Sequence, residues 1–239
     1  MSDMRYGYYG YYYDPTYLLV LIGAVLCIIA QMRVKSTYKK YSRVRSRSGL
    51  TGAAAAQRIL QLSGIYDVRI EHVSGELTDH YDPANKVLRL SDSVYASDSI
   101  AAIGVAAHEC GHAVQHDKGY APLSFRTALV SVANIGSRAG IPIIILGAIM
   151  GMNQYLIQIG IWVFALAVLF QIVTLPVEFN ASGRALAMLN NYGMLGQDET
   201  GNCRKVLSAA ALTYVAAAAT AILQLLRLIL LFGNGRRRD

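Results

Sequence analysis

The chain has 239 residues, of which 54% are hydrophobic and only 15% charged, so it is more apolar than ordinary soluble domains and membrane-spanning segments are expected. Its formal net charge of +7 does not indicate nucleic-acid binding, because the basic residues concentrate beside hydrophobic segments, where they set membrane topology. The three cysteines, Cys27, Cys110 and Cys203, lie in dissimilar segments and do not suggest a disulfide framework.

The N-terminal part of the chain predicts one membrane helix followed by a basic segment. Residues 1–16 form a Tyr/Gly-rich tail, and the apolar run 17–32 is the predicted transmembrane helix. Residues 33–50 form a basic juxtamembrane segment without an acid, which indicates the cytoplasmic side of the membrane. A signal peptide is the alternative interpretation, but here the basic cluster follows the apolar run, whereas a signal peptide has it first.

A mixed segment of helix and strand is predicted after residue 50. Thr51 is a suitable N-cap and Gly64 a suitable end for a short helix. Two β-like runs flank the Asp-Pro-Ala-Asn sequence at 82–85, which suits a type I turn, so a β-hairpin is expected. Either Ser97 or Asp98 is expected to cap the helix that comes next.

The strongest chemical signal is the HExxH pattern in that helix. His108 and His112 are four residues apart, so they lie on one helical face and both imidazoles can bind one ion. Glu109 borders the same face and can take a proton from water bound to the metal, whose pKa zinc lowers to about 7. The pattern therefore predicts a metal site together with its general base.

A chance match in a polar helix is the alternative to a metal site. The rest of the helix consists mainly of Ala, Val, Ile and Gly, where two histidines and a glutamate would be poorly satisfied unless they bound something. We therefore expect one Zn²⁺ ion per chain, with three protein ligands and an open position.

Residues 127–177 predict a transmembrane hairpin, because no charged residue occurs from 139 to 177 and the polar break is at 153–154. Pro176 is expected to break the second membrane helix, so that a new helix can begin. A two-pass excursion returns the chain to the face it left, which makes Glu178 the predicted third ligand. A charge at a helix N-terminus, without metal contact, is the alternative.

Four further side chains are candidates for roles at the site. His116 could compete as the third ligand, but ligands at i, i+4 and i+8 drift around the helix axis. His80, at the end of the first hairpin strand, is a candidate catalytic residue that stabilises the oxyanion or orders the site, with a solvated turn histidine as the alternative. His72 is expected on the surface of a strand, and Cys110 in helix packing.

The C-terminal third completes the predicted organisation. Residues 51–126 and 178–205 are expected to form the two parts of one metallopeptidase domain, followed by a hydrophobic helix at 206–232 and a basic tail at 233–239. A full crossing by the last helix would put the basic tail outside, against the positive-inside rule. Its topology stays open, and its Ala-rich first half could belong to the catalytic domain.

The chain resembles the YugP-type membrane zinc metallopeptidases of bacteria. The resemblance is carried by GELTDHYDP at 75–83, KVLRLSDSVY at 86–95, IAAIGVAAHECGHAVQH at 100–116 and LPVEFNASGRAL at 175–186. More distantly, HExxH followed by a membrane hairpin and a glutamate helix is similar to the HtpX-type and CAAX prenyl proteases of the gluzincin group. The resemblance implies that Glu109 is catalytic and that the zinc ligands are His108, His112 and Glu178.

Two features of those relatives bear on substrate and ligand support. They pair the substrate backbone with an edge strand beside the zinc helix, and residues 76–81 are the matching candidate. The distant relatives have Glu-x-x-x-Asp, whose Asp supports a ligand histidine, whereas this chain has Ser182 there. Asn180 or Ser182 could supply a weaker hydrogen bond. Gly183 stands where a basic residue is expected.

The sequence as a whole predicts a mostly helical α+β membrane protein: a gluzincin-like zinc metallopeptidase domain with a small β-hairpin or sheet and three to four transmembrane helices. The expected function is that of a membrane-embedded metalloendopeptidase that cleaves membrane-associated polypeptides, with its active site on the cytoplasmic side of the bacterial cell membrane. A zinc-containing scaffold or chaperone-like membrane protein is the alternative. A transporter is disfavoured because the hairpin lacks ionisable residues.

Overall fold

The fold begins with a long helix that joins a hydrophobic and a basic segment. The computed structural model describes residues 14–233, so most of the predicted Tyr/Gly-rich tail and of the basic C-terminal tail lies outside them. Helix α1 (Tyr17–Tyr41) extends beyond the apolar run 17–32, because the Lys and Arg residues that follow are good helix formers. Its last turns carry Tyr38 and Tyr41 into the core of the next segment.

Helix α2 (Gly52–Leu62) has the predicted ends. The Thr51 hydroxyl accepts a hydrogen bond from the Ala54 N–H, and Gly64 follows with a φ of +77° that suits glycine. The buried Ile59 and Leu60 pack this helix against the rest of the core.

The sheet contains three strands in the order β1-β3-β2. Strands β2 (His80–Asp82) and β3 (Val87–Ser91) form the predicted antiparallel hairpin, and β1 (Arg69–Val73) pairs with β3 in parallel. The predicted edge strand at 76–81 is shorter than expected, because the Asp79 carboxylate accepts hydrogen bonds from the N–H and hydroxyl of Ser91 at 2.8 and 2.9 Å instead of continuing the strand.

A short helix, α3 (Asp92–Tyr95), leads into the central helix α4 (Ile100–Asp117), most of which is buried. Ser99 caps α4, since its hydroxyl accepts from the Ala102 N–H at 3.1 Å, so the prediction of Ser97 or Asp98 was wrong. Asp98 is held instead by Arg45, at 3.6 Å, and its carbonyl accepts from the Ser46 N–H.

Four helices in the described part of the chain are long and apolar enough to cross a membrane: α1, α5 (Ala121–Ile149), α6 (Gln154–Asn191) and α7 (Gln197–Phe232). Helices α5 and α6 pack together as a hairpin, and the Asn153 side chain caps α6 at the predicted polar break. The described residues thus form a mostly helical α+β membrane protein with one small sheet, as predicted.

Helix α6 does not break at Pro176, contrary to the prediction, but continues as one helix of 38 residues. A proline inside a helix costs about 3 kcal/mol, because it lacks the N–H and crowds the preceding turn. Membrane helices tolerate that cost where neighbouring helices hold them. Here α6 packs against α4, α5 and α7, so neighbouring helices hold it and it continues through Pro176.

Helix α7 runs antiparallel to α1 along most of its length. Lys205 lies over the Tyr41 ring, Thr220 donates to the carbonyl of Gly23 at 3.1 Å, and Arg227 pairs with Asp14 at 3.1 Å. The two helices therefore traverse the same layer. The beginning of α7 also packs into the core through Cys203, Val206 and Leu207, while the membrane topology of the helix stays a prediction.

Candidate metal centre

Helices α4 and α6 bring the three predicted ligands together. The Nε2 atoms of His108 and His112 lie 3.2 and 3.5 Å from the Oε2 atom of Glu178, and one ligand atom from each residue lies within 4.8 Å of the others. The imidazole rings are nearly perpendicular, with centroids 4.8 Å apart. Three donors from two helices therefore converge on one point.

A glycine allows the two helices to approach so closely. A Cβ atom added to Gly111 would lie 2.5 Å from the carbonyl oxygen of Ala181 in α6, far inside van der Waals contact. Gly111 precedes one histidine, and Ala181 lies three residues after Glu178. The absence of a side chain at Gly111 is thus what lets the carboxylate reach both imidazoles.

The Nδ1 atoms of both histidines, on the side of each ring away from Glu178, have hydrogen-bond partners. Gln115 is fully buried, and its amide nitrogen donates to the Val177 carbonyl and the Asn180 side chain at 2.8 and 3.0 Å. Its amide oxygen therefore faces His112 Nδ1, 3.0 Å away, and accepts its proton. This tautomer leaves the Nε2 lone pair free to bind a metal.

His108 receives the corresponding support from Ser182, whose hydroxyl lies 3.1 Å from His108 Nδ1. The sequence left two candidates for this role. Ser182 supports His108 directly, and Asn180 acts on the other histidine through Gln115. Ser182, four residues after Glu178, thus supports the predicted ligand His108 with a neutral hydroxyl.

The surroundings of Glu178 fit a cation. The side chain is almost fully buried, and Oε2, which faces the two imidazoles, has no hydrogen-bond partner among the described residues. A buried, unpaired carboxylate oxygen is unfavourable unless a cation compensates it. Two imidazoles and one carboxylate are the donor set of catalytic zinc sites that keep a position open. The residues present therefore fit Zn²⁺.

A cavity of about 310 Å³ opens onto the cluster. Glu109 lines it beside the two histidines and is mostly buried, as a general base beside a metal would be. His80 lines it from the edge strand, with Nδ1 2.9 Å from the Thr78 carbonyl and Nε2 3.3 Å from Arg89. These contacts fix the His80 ring on the cavity wall, and its catalytic role stays a prediction.

The other candidate side chains lie away from the cluster. The Tyr81 hydroxyl, whose pKa burial raises to about 12, stays protonated and hydrogen-bonds to His116 at 2.8 Å, beside a separate cavity. His72 is on the surface and contacts Asp92 at 2.6 Å. Burial raises the pKa of the Cys110 thiol well above its usual value, and this side chain packs in the core, as expected.

Three residues at this site were missed by the sequence analysis. Gln115 of the HExxH helix was given no role, although it follows the second histidine by three residues and so lies on the same helical face. Arg126 lies 3.5 Å from Glu178 Oε1, and Tyr214 of α7 lines the cavity. The available signals were a lone arginine and a lone tyrosine, the latter inside the apolar run of α7.

Comparison with known proteins agrees with this geometry. The profile of a family described as "putative neutral zinc metallopeptidase" matches residues 16–233. A curated relative in Bacillus subtilis (strain 168), "Putative membrane protease YugP", is 48% identical over 221 residues, which cover 92% of this chain and 98% of the relative. No solved structure matches the chain. The chain therefore belongs to this family of neutral zinc metallopeptidases.

Proposed function

We propose that the protein is a membrane-embedded zinc metalloendopeptidase of the gluzincin type that holds one Zn²⁺ ion through His108, His112 and Glu178 and hydrolyses peptide bonds. The observation that carries this proposal is the convergence of two imidazole nitrogens on a buried carboxylate oxygen without a hydrogen-bond partner. The open cavity beside this cluster leaves room for water and a substrate carbonyl.

Glu109 is the proposed general base. A bound Zn²⁺ would supply Lewis acidity, which lowers the pKa of water and polarises a carbonyl. Glu109 takes the proton from the attacking water and passes it to the nitrogen of the leaving amine. Its burial next to the ligands keeps the carboxylate close to both positions and limits competition from bulk solvent.

The cavity walls supply the remaining groups. Arg126 contacts Oε1 of Glu178, which leaves Oε2 directed at the two histidines, so we assign Arg126 as a positioning residue. Tyr214 lines the same cavity and is a candidate to stabilise the negative charge that develops on the substrate oxygen. His80 donates from Nδ1 to the Thr78 carbonyl and accepts at Nε2 from Arg89, so its proposed role is to order the cavity wall.

The expected substrate is a polypeptide that binds in extended form. Strand β2 is an edge of the sheet, and its residues His80 and Tyr81 line the metal cavity. An extended peptide can add to such an edge through main-chain hydrogen bonds, which would bring its backbone next to Glu109. The membrane helix α6 carries a ligand of the site, so membrane-associated polypeptides are the proposed class.

The site is assigned to the cytoplasmic side of the cell membrane. The basic end of α1 is followed directly by the domain that contains α4, and Tyr38 and Tyr41 from that end pack in the same core. Basic residues beside membrane helices favour the cytoplasm. The catalytic domain and the basic segment are therefore expected on one side.

Metal content and peptide hydrolysis of the detergent-purified full chain test the proposal together. We expect about one zinc per chain in the wild type, loss of most zinc in Glu178→Ala, and retained zinc with roughly 10²–10⁴-fold slower hydrolysis in Glu109→Gln. Asp67→Asn, which changes an exposed carboxylate outside the cavity, is the matched control and should change neither quantity.

Three results would each contradict a part of the proposal. Full zinc in Glu178→Ala would remove Glu178 as the third ligand. A wild type that holds zinc but cleaves no member of a broad peptide library would favour a zinc-containing scaffold or chaperone-like protein. Equal cleavage of soluble and membrane-embedded reporters in proteoliposomes would exclude the preference for membrane-associated substrates.

A further inference from the structure

A second polar site lies where α1 packs against the beginning of α7, a different pair of helices from the one that carries the metal centre. A groove of about 480 Å³ opens there, which we call the basic groove. Its walls carry four cationic side chains, two from each helix: Arg33, Lys40, Arg204 and Lys205. Hydroxyl groups of Ser36, Thr37 and Ser208 lie among them. The lining contains no acidic residue, so the groove has the composition of an anion site.

The four cations are not neutralised within the described part of the chain. None of them forms an ion pair with a carboxylate there. The two acids at the start of α7, Asp198 and Glu199, both pair with Arg47. Lys40 and Lys205 lie 5.4 and 6.0 Å from the ring of the buried Tyr41. An aromatic ring therefore holds two of these charges in place without cancelling them.

The periodicity of both helices directs these residues into the groove. On α1 they recur three to four residues apart, from Arg33 to Tyr41, and on α7 at Arg204, Ser208 and Leu212. Lys35 and Lys39 belong to the same basic segment but do not line the groove. The groove is thus lined by only one face of the basic segment. Binding in the groove can therefore be distinguished from attraction to the overall positive charge of the segment.

The groove lies beside the apolar ends of both helices. Arg33 follows the apolar part of α1 directly, and Lys205 precedes the apolar part of α7, which begins at Val206. Because Gly23 contacts Thr220 and Tyr41 contacts Lys205, Arg33 lies opposite about residue 211 of α7, roughly 9 Å along the helix from the level of Lys205. The groove spans this offset, and the long Arg and Lys side chains can reach one headgroup from both ends. Ala209 and Leu212 continue the groove toward the apolar layer.

We propose that the basic groove binds the phosphate group of an anionic phospholipid, with its acyl chains along Ala209 and Leu212. Phosphate matches the set of cations and hydroxyls, which can each donate hydrogen bonds to its oxygens. Basic pockets between membrane helices on the cytoplasmic side bind anionic headgroups in this way. The apolar end of the groove favours a lipid over a free phosphate ion.

Titration of the full chain in nonionic detergent with phosphatidylglycerol, followed by native mass spectrometry, tests this proposal. Each cation near an anionic headgroup contributes about fivefold in affinity, so Arg33→Gln with Arg204→Gln should weaken binding about thirtyfold. Lys35→Gln with Lys39→Gln removes the same charge from the same segment and should stay within about twofold. Arg33→Lys with Arg204→Lys keeps the charge and should retain binding, which controls for misfolding.

The other ligands decide between sources of phosphate. Phosphatidylcholine should bind at least tenfold more weakly than phosphatidylglycerol, and inorganic phosphate should compete only at far higher concentration. Inorganic phosphate that binds as tightly as the lipid would overturn the lipid assignment. Equal losses in the Arg33/Arg204 and Lys35/Lys39 variants would overturn the groove itself, because they would show general attraction to the basic segment. Zinc content provides an independent check that the variants are folded.

Discussion

Two of the helix contacts that close on a glycine, α4 with α6 and α1 with α7, differ in the atoms that face the glycine. In α4, an added Cβ on Gly111 would meet a backbone carbonyl of α6 at 2.5 Å. In α1, an added Cβ on Gly23 would meet the methyl group of Thr220 in α7 at 2.8 Å. A side chain can rotate away, whereas a helix backbone can only shift as a whole. The same added methyl group therefore has local consequences in one place and global ones in the other.

The two contacts also differ in what they position. The α4–α6 contact aligns two imidazoles with a carboxylate, and the atoms behind the imidazoles are hydrogen-bonded. At the Gly23 contact between α1 and α7, the Thr220 hydroxyl donates within α7 and to the Gly23 carbonyl and lies 3.3 Å from Cys27 Sγ, and none of these residues lines the metal cavity. Small displacements should therefore affect chemistry at the first contact and only stability at the second.

The largest effect is expected for Gly111→Ala. The methyl group forces α4 and α6 apart, with overpacking strain of about 1–3 kcal/mol, and zinc affinity should fall by up to about a hundredfold. Zinc content after competition with a chelator measures the loss. Gly183→Ala is the matched control, because no atom lies within 4 Å of its added Cβ, and it should keep full zinc. Equal zinc in both variants would contradict the comparison.

An intermediate effect on zinc affinity is expected when the hydrogen-bond partners of the two histidine Nδ1 atoms are removed. Gln115→Leu leaves His112 Nδ1 without its partner in a buried place, so zinc affinity should fall about 10–100-fold. Ser182→Ala should cost less, because Ser182 is only partly buried and water can replace its hydroxyl. Zinc competition with a fluorescent chelator ranks the two variants, and the reverse order would contradict this argument.

The smallest effect is expected for Gly23→Ala. Thr220 must rotate, which gives up its hydrogen bond to α1, so the free energy of unfolding should fall by about 1 kcal/mol. Zinc content and hydrolysis should not change. Thermal unfolding in detergent gives the measurement, and Gly201→Ala, whose added Cβ meets no atom within 4 Å, is the control. Loss of zinc in Gly23→Ala would show that the two helix contacts are coupled.

Much of the site could be predicted from the sequence because its signals are local or have a fixed spacing. The helical repeat alone brings His108 and His112 onto one face. The prediction of Glu178 as the third ligand required only that the hairpin return the chain to the same side of the membrane. The Thr51 cap and the β2–β3 hairpin follow from short-range hydrogen-bonding preferences, and the structure contains both.

The remainder depends on contacts that sequence spacing does not encode. Ser99 caps α4 instead of Asp98 because Arg45, from another part of the chain, binds the Asp98 carboxylate. Pro176 stays within a helix because three other helices hold it. Tyr214 reaches the cavity only through the packing of α7. In each case a tertiary contact outweighs a local preference by an amount that the local sequence does not reveal.

The unbroken helix α6 gives the metal centre a mechanical connection to the lipid. Glu178 lies 24 residues after the start of α6, about 36 Å at the rise of an α-helix. Because α6 contacts α4 at Ala181, three residues after Glu178, a change in the tilt of α6 would pivot close to the carboxylate and rotate it relative to the two imidazoles. Membrane helices adjust their tilt to bilayer thickness, so we expect the orientation of this carboxylate to respond to the thickness of the surrounding membrane.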